Sequence, residues 1–236
     1  MGFNPYEQEE DFYWIPRYYK HLIPDYWNVY GYKNNQVSVL ERLYDDDEDW
    51  DKIDRKMGPR FDVVQIWTIQ NPRTYGRYAK KMEKYEDWYD REPKRWELFH
   101  GTQAKNVESI IDNNFDLRNL HTKDSSFYAA GEGVYFTNKA AYADWAVGGQ
   151  NTRCYMFYCE VLIDKIKNVS NPNSVRLGPP ARPGYETEVA RVRSEGGDPH
   201  PSMLYDTTSR TDKDEYVKFK RNEYYPTHLI MYDRCY

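Results

Sequence analysis

The spacing of apolar residues along the chain predicts both β-strands and α-helices. Segments in which apolar residues alternate with polar ones, or run together, indicate strands, which cover residues 36–44, 61–70, 97–100, 133–136, 155–163, 215–219 and 226–232. Segments with apolar residues three and four positions apart indicate amphipathic helices, which cover residues 45–57, 71–85, 104–112 and 138–146. After residue 152 the pattern is almost entirely that of strands, so the chain is predicted to be an α+β protein.

Two of the predicted helices begin with recognisable capping residues. Asn71 suits the N-cap position and Pro72 suits the first helical position, where no backbone N–H is needed. Asn138 is expected to cap the last helix in the same way. The apolar stripe of the helix after Asn71 consists of Tyr75, Tyr78, Met82 and Tyr85. Such a stripe usually packs into a core, so we assign it no ligand.

An acidic run precedes the first predicted helix. Six of the seven residues in 45–51 are acidic, and acidic side chains stabilise the positive end of the helix dipole. Trp50, Ile53 and Met57 then follow at helical spacing. We therefore interpret the run as the solvated first turn of a helix, with a cation site as the alternative.

The sequence divides into a short arm and one domain. Residues 1–23 are aromatic and charged with little periodicity, and residues 24–236 are long enough to form one sizeable core. Within this domain, residues 170–212 form an excursion rich in proline, glycine and arginine. Connections of this length are often functional.

Composition and charge restrict the function classes. Only 39% of the residues are hydrophobic, but 24 tyrosines and 7 tryptophans can build a core if their polar tips find partners. The net charge of −5 argues against a general nucleic-acid coat protein, so nucleic acid is not indicated as a partner. The basic segment 218–221 is interpreted as the solvent face of an edge strand.

Cysteine usage and the N-terminus predict an intracellular protein, cytoplasmic or nuclear. Cys154, Cys159 and Cys235 lack the spacing of a disulfide framework, and no second Cys/His pair completes a zinc site. The N-terminal residues lack the basic and apolar regions of a secretory signal. Because no zinc site is complete, no metal is expected. No apolar stretch approaches the roughly 18 residues that cross a bilayer, so no membrane is expected either.

Three short segments carry the candidate chemistry: 98–102, 131–136 and 214–219. Each places a functional residue at the edge of an apolar run, and in order they supply a His, a Tyr and a Glu. A His and a Glu can bind sugar hydroxyls, and a Tyr can stack on a flat ring. The combination suits a nucleotide-sugar ligand.

The order of these motifs resembles that of a known family. His-Gly-Thr at 100–102, Phe-Asp-Leu-Arg at 115–118, Gly-Glu-Gly-Val-Tyr-Phe at 131–136 and Tyr-Pro-Thr-His-Leu-Ile at 225–230 resemble the PARP catalytic domain, a diphtheria-toxin-like ADP-ribosyltransferase; the upstream segment 66–72 fits too. The similarity covers roughly residues 24–236. It implies the ADP-ribosyltransferase fold, in which two packed, mostly antiparallel β-sheets with flanking helices form a cleft for NAD.

The resemblance assigns the family's His-Tyr-Glu triad to His100, Tyr135 and Glu215. It implies that His100 binds a ribose hydroxyl of NAD, that Tyr135 stacks on nicotinamide and that Glu215 binds the 2′-hydroxyl of the nicotinamide ribose. The backbone of Gly101 would bind the carboxamide, which a residue without a Cβ atom lets approach closely. Thr102 would add a ribose contact.

The remaining cofactor contacts are implied by neighbouring motifs. Arg118 would lie near the adenosine half of NAD, and residues 118–131 would form a donor loop over it. Ala143 stands where the family usually has a Ser that contacts the carboxamide. Tyr142 is expected to support the floor of the site and Trp145 to act as a lid.

The resemblance implies an NAD-dependent enzyme of the pentosyltransferase class. It would transfer ADP-ribose from NAD to a macromolecular acceptor and release nicotinamide. The acceptor is expected to be a protein, and the chain itself is one candidate. Transfer of single units is slightly favoured by the His-Gly-Thr triplet and Tyr225-Pro226, although Glu215 permits elongation. The short arm leaves no room for the all-helical autoinhibitory domain that some relatives carry. The site is therefore expected to be open to NAD without an activating ligand. The alternatives are a catalytically silent module that binds NAD or ADP-ribose, and an NAD glycohydrolase.

Overall fold

The computed structural model describes the greater part of the chain. The described residues are 21–27, 38–115, 134–149, 153–163, 167–169, 202–206, 214–218 and 221–235. Arg118, the expected donor loop 118–131, most of the arm and most of the 170–212 excursion lie outside them.

Nine strands in the described part of the chain form one hydrogen-bonded sheet. They are β1 (Val39–Arg42), β2 (Phe61–Gln70), β3 (Arg95–Gly101), β4 (Val134–Thr137), β5 (Arg153–Leu162), β6 (Lys167–Val169), β7 (Ser202–Asp206), β8 (Asp214–Lys218) and β9 (Tyr224–Arg234). Their order is β1-β2-β9-β5-β3-β4-β8-β7-β6. All pairs are antiparallel except β6 with β7.

Four α-helices flank this sheet in the described residues. They are α1 (Glu48–Met57), α2 (Pro72–Tyr89), α3 (Val107–Asn113, preceded by a 3-10 turn) and α4 (Ala140–Val147). The α+β class and the mostly antiparallel pairing are therefore confirmed. Among the described residues, no helix combines the length and the apolar character needed to cross a membrane.

The expected division into two separate sheets is replaced by a narrow junction within one sheet. β3 and β4 pair at a single position, where Phe99 lies opposite Thr137. On one side of this junction β3 continues through β5 into long ladders, and on the other side β4 continues into β8. In the described residues, the two halves therefore share one sheet but are linked by a single backbone pair between β3 and β4.

Alternate residues of the central strands supply cores on both faces of the sheet. Leu98 and Phe157 belong to one cluster, which also contains Ile110 of α3. Phe99 belongs to a second cluster, together with Ala143 of α4. Because side chains alternate between the faces of a strand, the helices are placed on both faces and enclose the junction between β3 and β4.

The predicted start of α2 is confirmed, but the helix is longer than predicted at its C-terminal end. The side-chain oxygen of Asn71 accepts a hydrogen bond from the Thr74 backbone N–H at 3.1 Å, and Pro72 opens the helix. The helix runs on to Tyr89, four residues beyond the predicted end. Asn138, in contrast, is not the cap of α4: Lys139 occupies that position and makes no side-chain capping bond.

Buried tyrosines find polar partners, as the composition requires. Tyr225 is 1% exposed, its hydroxyl donates to the Ile69 carbonyl oxygen at 2.7 Å, and it accepts from the Asn71 backbone N–H at 3.0 Å. The phenol thus connects β9 to the end of β2 and the start of α2.

Removing this phenol is expected to destabilise the domain. In a Tyr225→Phe variant the Ile69 carbonyl and the Asn71 N–H stay buried without their partner, which should lower the free energy of unfolding by about 2 kcal/mol. Urea unfolding followed by fluorescence measures the change. Tyr26→Phe is the matched control, because Tyr26 is 80% exposed and should tolerate the same substitution. Equal stability of the two variants would contradict the role given to Tyr225.

Candidate functional site

His100 lies where the pairing between β3 and β4 ends. One residue beyond the Phe99–Thr137 pair, its Nδ1 lies 2.7 Å from the carbonyl oxygen of Tyr135. The imidazole therefore bridges the two strands in place of a further backbone pair. This contact joins the predicted His to the backbone of the predicted Tyr.

The environment of His100 fixes both its charge and its tautomer. Burial lowers the pKa of His100 to about 4, although the hydrogen bond to the Tyr135 backbone acts in the opposite direction. The ring packs against Phe115 at 4.5 Å and Phe136 at 5.7 Å between centroids. The imidazole is therefore neutral near pH 7. Because a carbonyl oxygen only accepts, Nδ1 carries the hydrogen and Nε2 is left as an acceptor.

Stability should fall as the solution is acidified below the ordinary pKa of histidine. Burial also lowers the pKa of His228 to about 4, so both rings are neutral when folded but take up protons when unfolded. The stabilisation is complete above about pH 6.5 and is lost as the pH falls towards 4. We expect the free energy of unfolding to drop by roughly 3 kcal/mol between about pH 7 and about pH 5.

Urea titrations across this pH range measure the effect. A His228→Gln variant is the matched comparison and should show about half of the drop, because only His100 then titrates. A free energy of unfolding that is flat over this interval would show that the folded protein protonates both rings freely.

Gly101 lies directly against the backbone of α4. A Cβ atom at this position would be 1.8 Å from the carbonyl oxygen of Ala143 and 2.6 Å from its carbonyl carbon. Both distances are far below any real contact, so only glycine is compatible with this position of α4. Ligand approach was the expected reason for the glycine; the structure adds a packing requirement.

Tyr135 and Glu215 lie on neighbouring strands. In the ladder between β4 and β8, Tyr135 is opposite Val217 and Glu215 is opposite Thr137. The register positions of Tyr135 and Glu215 therefore fall on the same face of the ladder, two residues apart. Residues separated by 80 positions in the sequence are thus brought into adjacent strands.

The three candidate residues of α4 differ in exposure. Ala143 is buried, Tyr142 is half-buried and Trp145 is 65% exposed. The helix packs its Ala143 backbone on Gly101, so α4, which carries Tyr142 and Trp145, lies against the end of β3. Thr102 is the first residue after β3 and is buried. Its hydroxyl accepts a hydrogen bond from the Asn106 side chain at 3.1 Å.

Asp144 and Arg234 attach α4 to the end of β9. Nε of Arg234 lies 2.9 and 3.0 Å from the two carboxylate oxygens of Asp144, and Nη1 donates to the Gly149 carbonyl at 2.9 Å. The Tyr232 hydroxyl also donates to Asp144, and burial together with this carboxylate raises the pKa of the phenol. The sequence pattern does not reveal this clamp, because Asp144 and Arg234 are 90 residues apart.

The side chains of the candidate site indicate the class of ligand that it suits. Among the residues that the structure covers, no group of three or more His, Cys, Asp or Glu is arranged to hold a metal ion. The groups at the junction include a neutral imidazole and the aromatic rings packed against it. Such groups suit a ligand with hydroxyls and a flat ring.

Comparison with known proteins identifies relatives of this chain. A family model for the poly(ADP-ribose) polymerase catalytic domain matches residues 51–234. Similar curated proteins include protein mono-ADP-ribosyltransferase PARP12 from Mus musculus, at 28% identity over 218 residues, and PARP12 from Homo sapiens, at 27%. Protein mono-ADP-ribosyltransferase PARP14 from Homo sapiens is 25% identical over 228 residues.

Each of these alignments covers 89% of the chain but a smaller part of the relative. The chain spans 27% and 28% of the two PARP12 proteins and 11% of PARP14. The similarity therefore concerns one domain of larger proteins.

Proposed function

Because the chain belongs to the poly(ADP-ribose) polymerase catalytic domain family, we propose that it transfers ADP-ribose from NAD to a macromolecular acceptor and releases nicotinamide. The observation that carries the proposal is the contact between His100 and the Tyr135 backbone, beside the strand that holds Glu215. The neighbouring strand positions of Tyr135 and Glu215, with His100 in contact with the Tyr135 backbone, support the proposal.

The reaction replaces one bond to the ribose with another. The bond between ribose C1 and the ring nitrogen of nicotinamide breaks, and nicotinamide leaves with the bonding electron pair. The acceptor supplies a lone pair to C1 and gives up a proton. Because the sugar becomes cationic on the way, groups that face it with negative charge lower the barrier.

Glu215 and Tyr135 have complementary tasks in this proposal. The Glu215 carboxylate binds the 2′-hydroxyl of the nicotinamide ribose, stabilises the developing cation and orients or deprotonates the acceptor. The Tyr135 ring stacks on nicotinamide and holds the leaving group in place. Their register positions on one face of the β4–β8 ladder support this division.

His100 holds the other ribose. With its hydrogen on Nδ1 bonded to Tyr135, Nε2 accepts a hydrogen bond from a ribose hydroxyl on the adenosine side. The lowered pKa keeps the ring neutral, so Nε2 remains an acceptor throughout the physiological range. Arg118 is proposed to contact the adenosine half.

The remaining proposed contacts come from Gly101, Thr102 and α4. The Gly101 backbone binds the carboxamide and Thr102 adds a ribose contact, while Tyr142 supports the floor and Trp145 covers the site. The exposure of Trp145 at 65% is compatible with a lid that closes only on NAD. Ala143 cannot donate a hydrogen bond from its side chain, so the carboxamide depends on the backbone there.

Transfer of single units to a protein is the product that we favour. The relatives from both species are named mono-ADP-ribosyltransferases, which supports this choice. A Glu at position 215 permits elongation, but elongation also needs a second site for a bound ADP-ribose. The acceptor is proposed to be a protein, and the chain itself is the first candidate to test.

A labelled-NAD assay resolved on a gel tests the proposed function. The purified chain, alone and with added protein acceptors, should acquire label as a discrete band. A ladder would indicate elongation instead of single transfer. Released nicotinamide with unlabelled protein would indicate NAD hydrolysis, and no released nicotinamide would indicate a binding module; either result would overturn the proposal.

The stacking role of Tyr135 has its own test. A Tyr135→Ala variant should bind NAD about 10-fold more weakly in calorimetry, because stacking on a flat ring contributes roughly 1–2 kcal/mol. The backbone contact to His100 is unaffected by this change. Tyr135→Phe keeps the ring and should bind within about twofold of the original protein. Unchanged affinity of the alanine variant would argue against stacking.

A further inference from the structure

Lys218, at the end of β8, is completely buried. Its side chain is 0% exposed, whereas the basic segment 218–221 was predicted to face solvent, so that prediction is wrong for its first residue. Nζ forms an ion pair with Glu223 Oε2 at 2.8 Å and donates to the Leu162 carbonyl oxygen at 2.6 Å. A side chain of β8 therefore reaches the end of β5 directly.

Glu223 extends this contact to α2. Its side chain is also 0% exposed, and Oε1 accepts from the Tyr85 hydroxyl at 2.8 Å, with Lys81 Nζ at 3.4 Å. Its backbone oxygen accepts from the Leu162 N–H at 2.8 Å. The ion pair and the hydrogen bonds on either side of it thus connect β8, β5 and α2.

Stability alone is a poor explanation for such a pair. Removing two charges from water is expensive, and apolar side chains of similar size often replace a buried ion pair without loss. A buried pair can instead fix one arrangement among several, because each charge must meet its partner. The location of Lys218 shows what would be fixed.

β8 depends on such a connection more than the central strands do. Among the described residues, its ladder to β4 leads to β3 and the central strands only through the single β3–β4 pair at Phe99 and Thr137. Lys218 is three residues after Glu215, so the two positions fall on opposite faces of β8. Lys218 can therefore anchor the strand on its buried side while Glu215 occupies the face shared with Tyr135.

We propose that Lys218 and Glu223 are positioning residues that hold β8, and with it Glu215, in register beside Tyr135. The inference rests on the proposed function, because it gives Glu215 its task in the transfer. A shift of one residue along the strand moves a side chain by about 3.3 Å and turns it to the other face, so a fixed register is essential.

Three variants separate positioning from simple stabilisation. Lys218→Met and Glu223→Gln each leave one charge of the pair buried, and each should lower Tm by roughly 10 °C. The double variant removes both charges and keeps an acceptor for Tyr85, so its Tm should return to within about 3 °C of the original. Hydrogen exchange by mass spectrometry and steady-state kinetics are then measured on the double variant.

The proposal predicts a specific combination in the double variant. Amide exchange in β8 should rise at least about 10-fold while β5 and β9 stay unchanged, and kcat for transfer should fall about 10-fold with KM for NAD within about threefold. Unchanged exchange in β8, or faster exchange with an unchanged kcat, would overturn it. If the double variant does not fold, the same two measurements on Glu223→Gln decide the question.

The exchange measurement keeps this inference separate from the proposed function. If the original protein transfers no ADP-ribose, the proposed function fails, yet exchange in β8 still shows whether Lys218 and Glu223 hold the strand. Normal transfer by the original protein with unchanged exchange in the double variant rejects the positioning role alone.

Discussion

Substituting alanine for Gly101 is expected to lower the melting temperature by about 10 °C, which corresponds to about 3 kcal/mol. The added Cβ atom would lie 1.8 Å from the Ala143 carbonyl oxygen, and backbone on both sides cannot rotate away as a side chain could. Relief requires α4 to move off β3. NAD binding should fall with stability, because α4 carries Tyr142 and Trp145. Differential scanning calorimetry and NAD titration measure the two effects.

Gly58→Ala is the control for this substitution. Gly58 has a φ of 79°, so alanine there is strained, but its Cβ atom would meet nothing within 4 Å. Its cost should be about 1 kcal/mol, or about 3 °C, with NAD binding unchanged. If Gly101→Ala proved as mild as this control, α4 would not be seated on β3 as described.

Exchanging Glu215 for glutamine should reduce the rate of ADP-ribose transfer by about 10²–10³-fold. Glutamine has nearly the same size and can still bind a hydroxyl, but it lacks the negative charge that stabilises a cationic sugar. NAD affinity should therefore change by no more than about threefold, so the loss appears in kcat. Initial rates of label incorporation over a range of NAD concentrations separate the two parameters.

Asp214→Asn is the matched control on the same strand. Asp214 is adjacent to Glu215 on β8, so its position falls on the opposite face of the strand. Its amide variant should retain the transfer rate within about twofold. Full activity in the Glu215→Gln variant would refute the role proposed for that carboxylate, and equal losses in both variants would indicate a general effect of charge.

Much of the fold was predictable where local sequence carries the structure. Asn71 and Pro72 announce the start of α2 through the residue types themselves, and Tyr78 and Tyr85 lie on its buried face as their spacing requires. Such signals act over a few residues. They fail where neighbours decide: Asn138 is a good capping residue, yet the backbone places Lys139 at the cap.

The strands that carry two of the candidate residues were also accessible from the sequence. His100 lies near the end of β3 and Tyr135 lies within β4, and the imidazole of His100 contacts the Tyr135 backbone. The reason for Gly101 was only partly foreseen, because the close neighbour is the backbone of a helix about 40 residues later in the chain. A residue pattern cannot state which distant backbone will approach a glycine.

Long-range polar contacts and sheet topology were not predictable. Arg234 with Asp144 and Lys218 with Glu223 involve ordinary charged residues, whose partners depend on the completed fold. The single β3–β4 pair, which joins two expected sheets into one, likewise depends on how strands from separate segments meet. β6 and β7 are short strands beside and within the 170–212 excursion, where the residue pattern shows no clear period.

The most direct test of the proposed transferase activity is the ratio of nicotinamide released to ADP-ribose attached, measured in one reaction with doubly labelled NAD. If the chain transfers ADP-ribose, each nicotinamide released is matched by one ADP-ribose on a macromolecule. Both signals then fall together in the Glu215→Gln variant. Nicotinamide release accompanied only by free ADP-ribose, or NAD binding without any release, would contradict it.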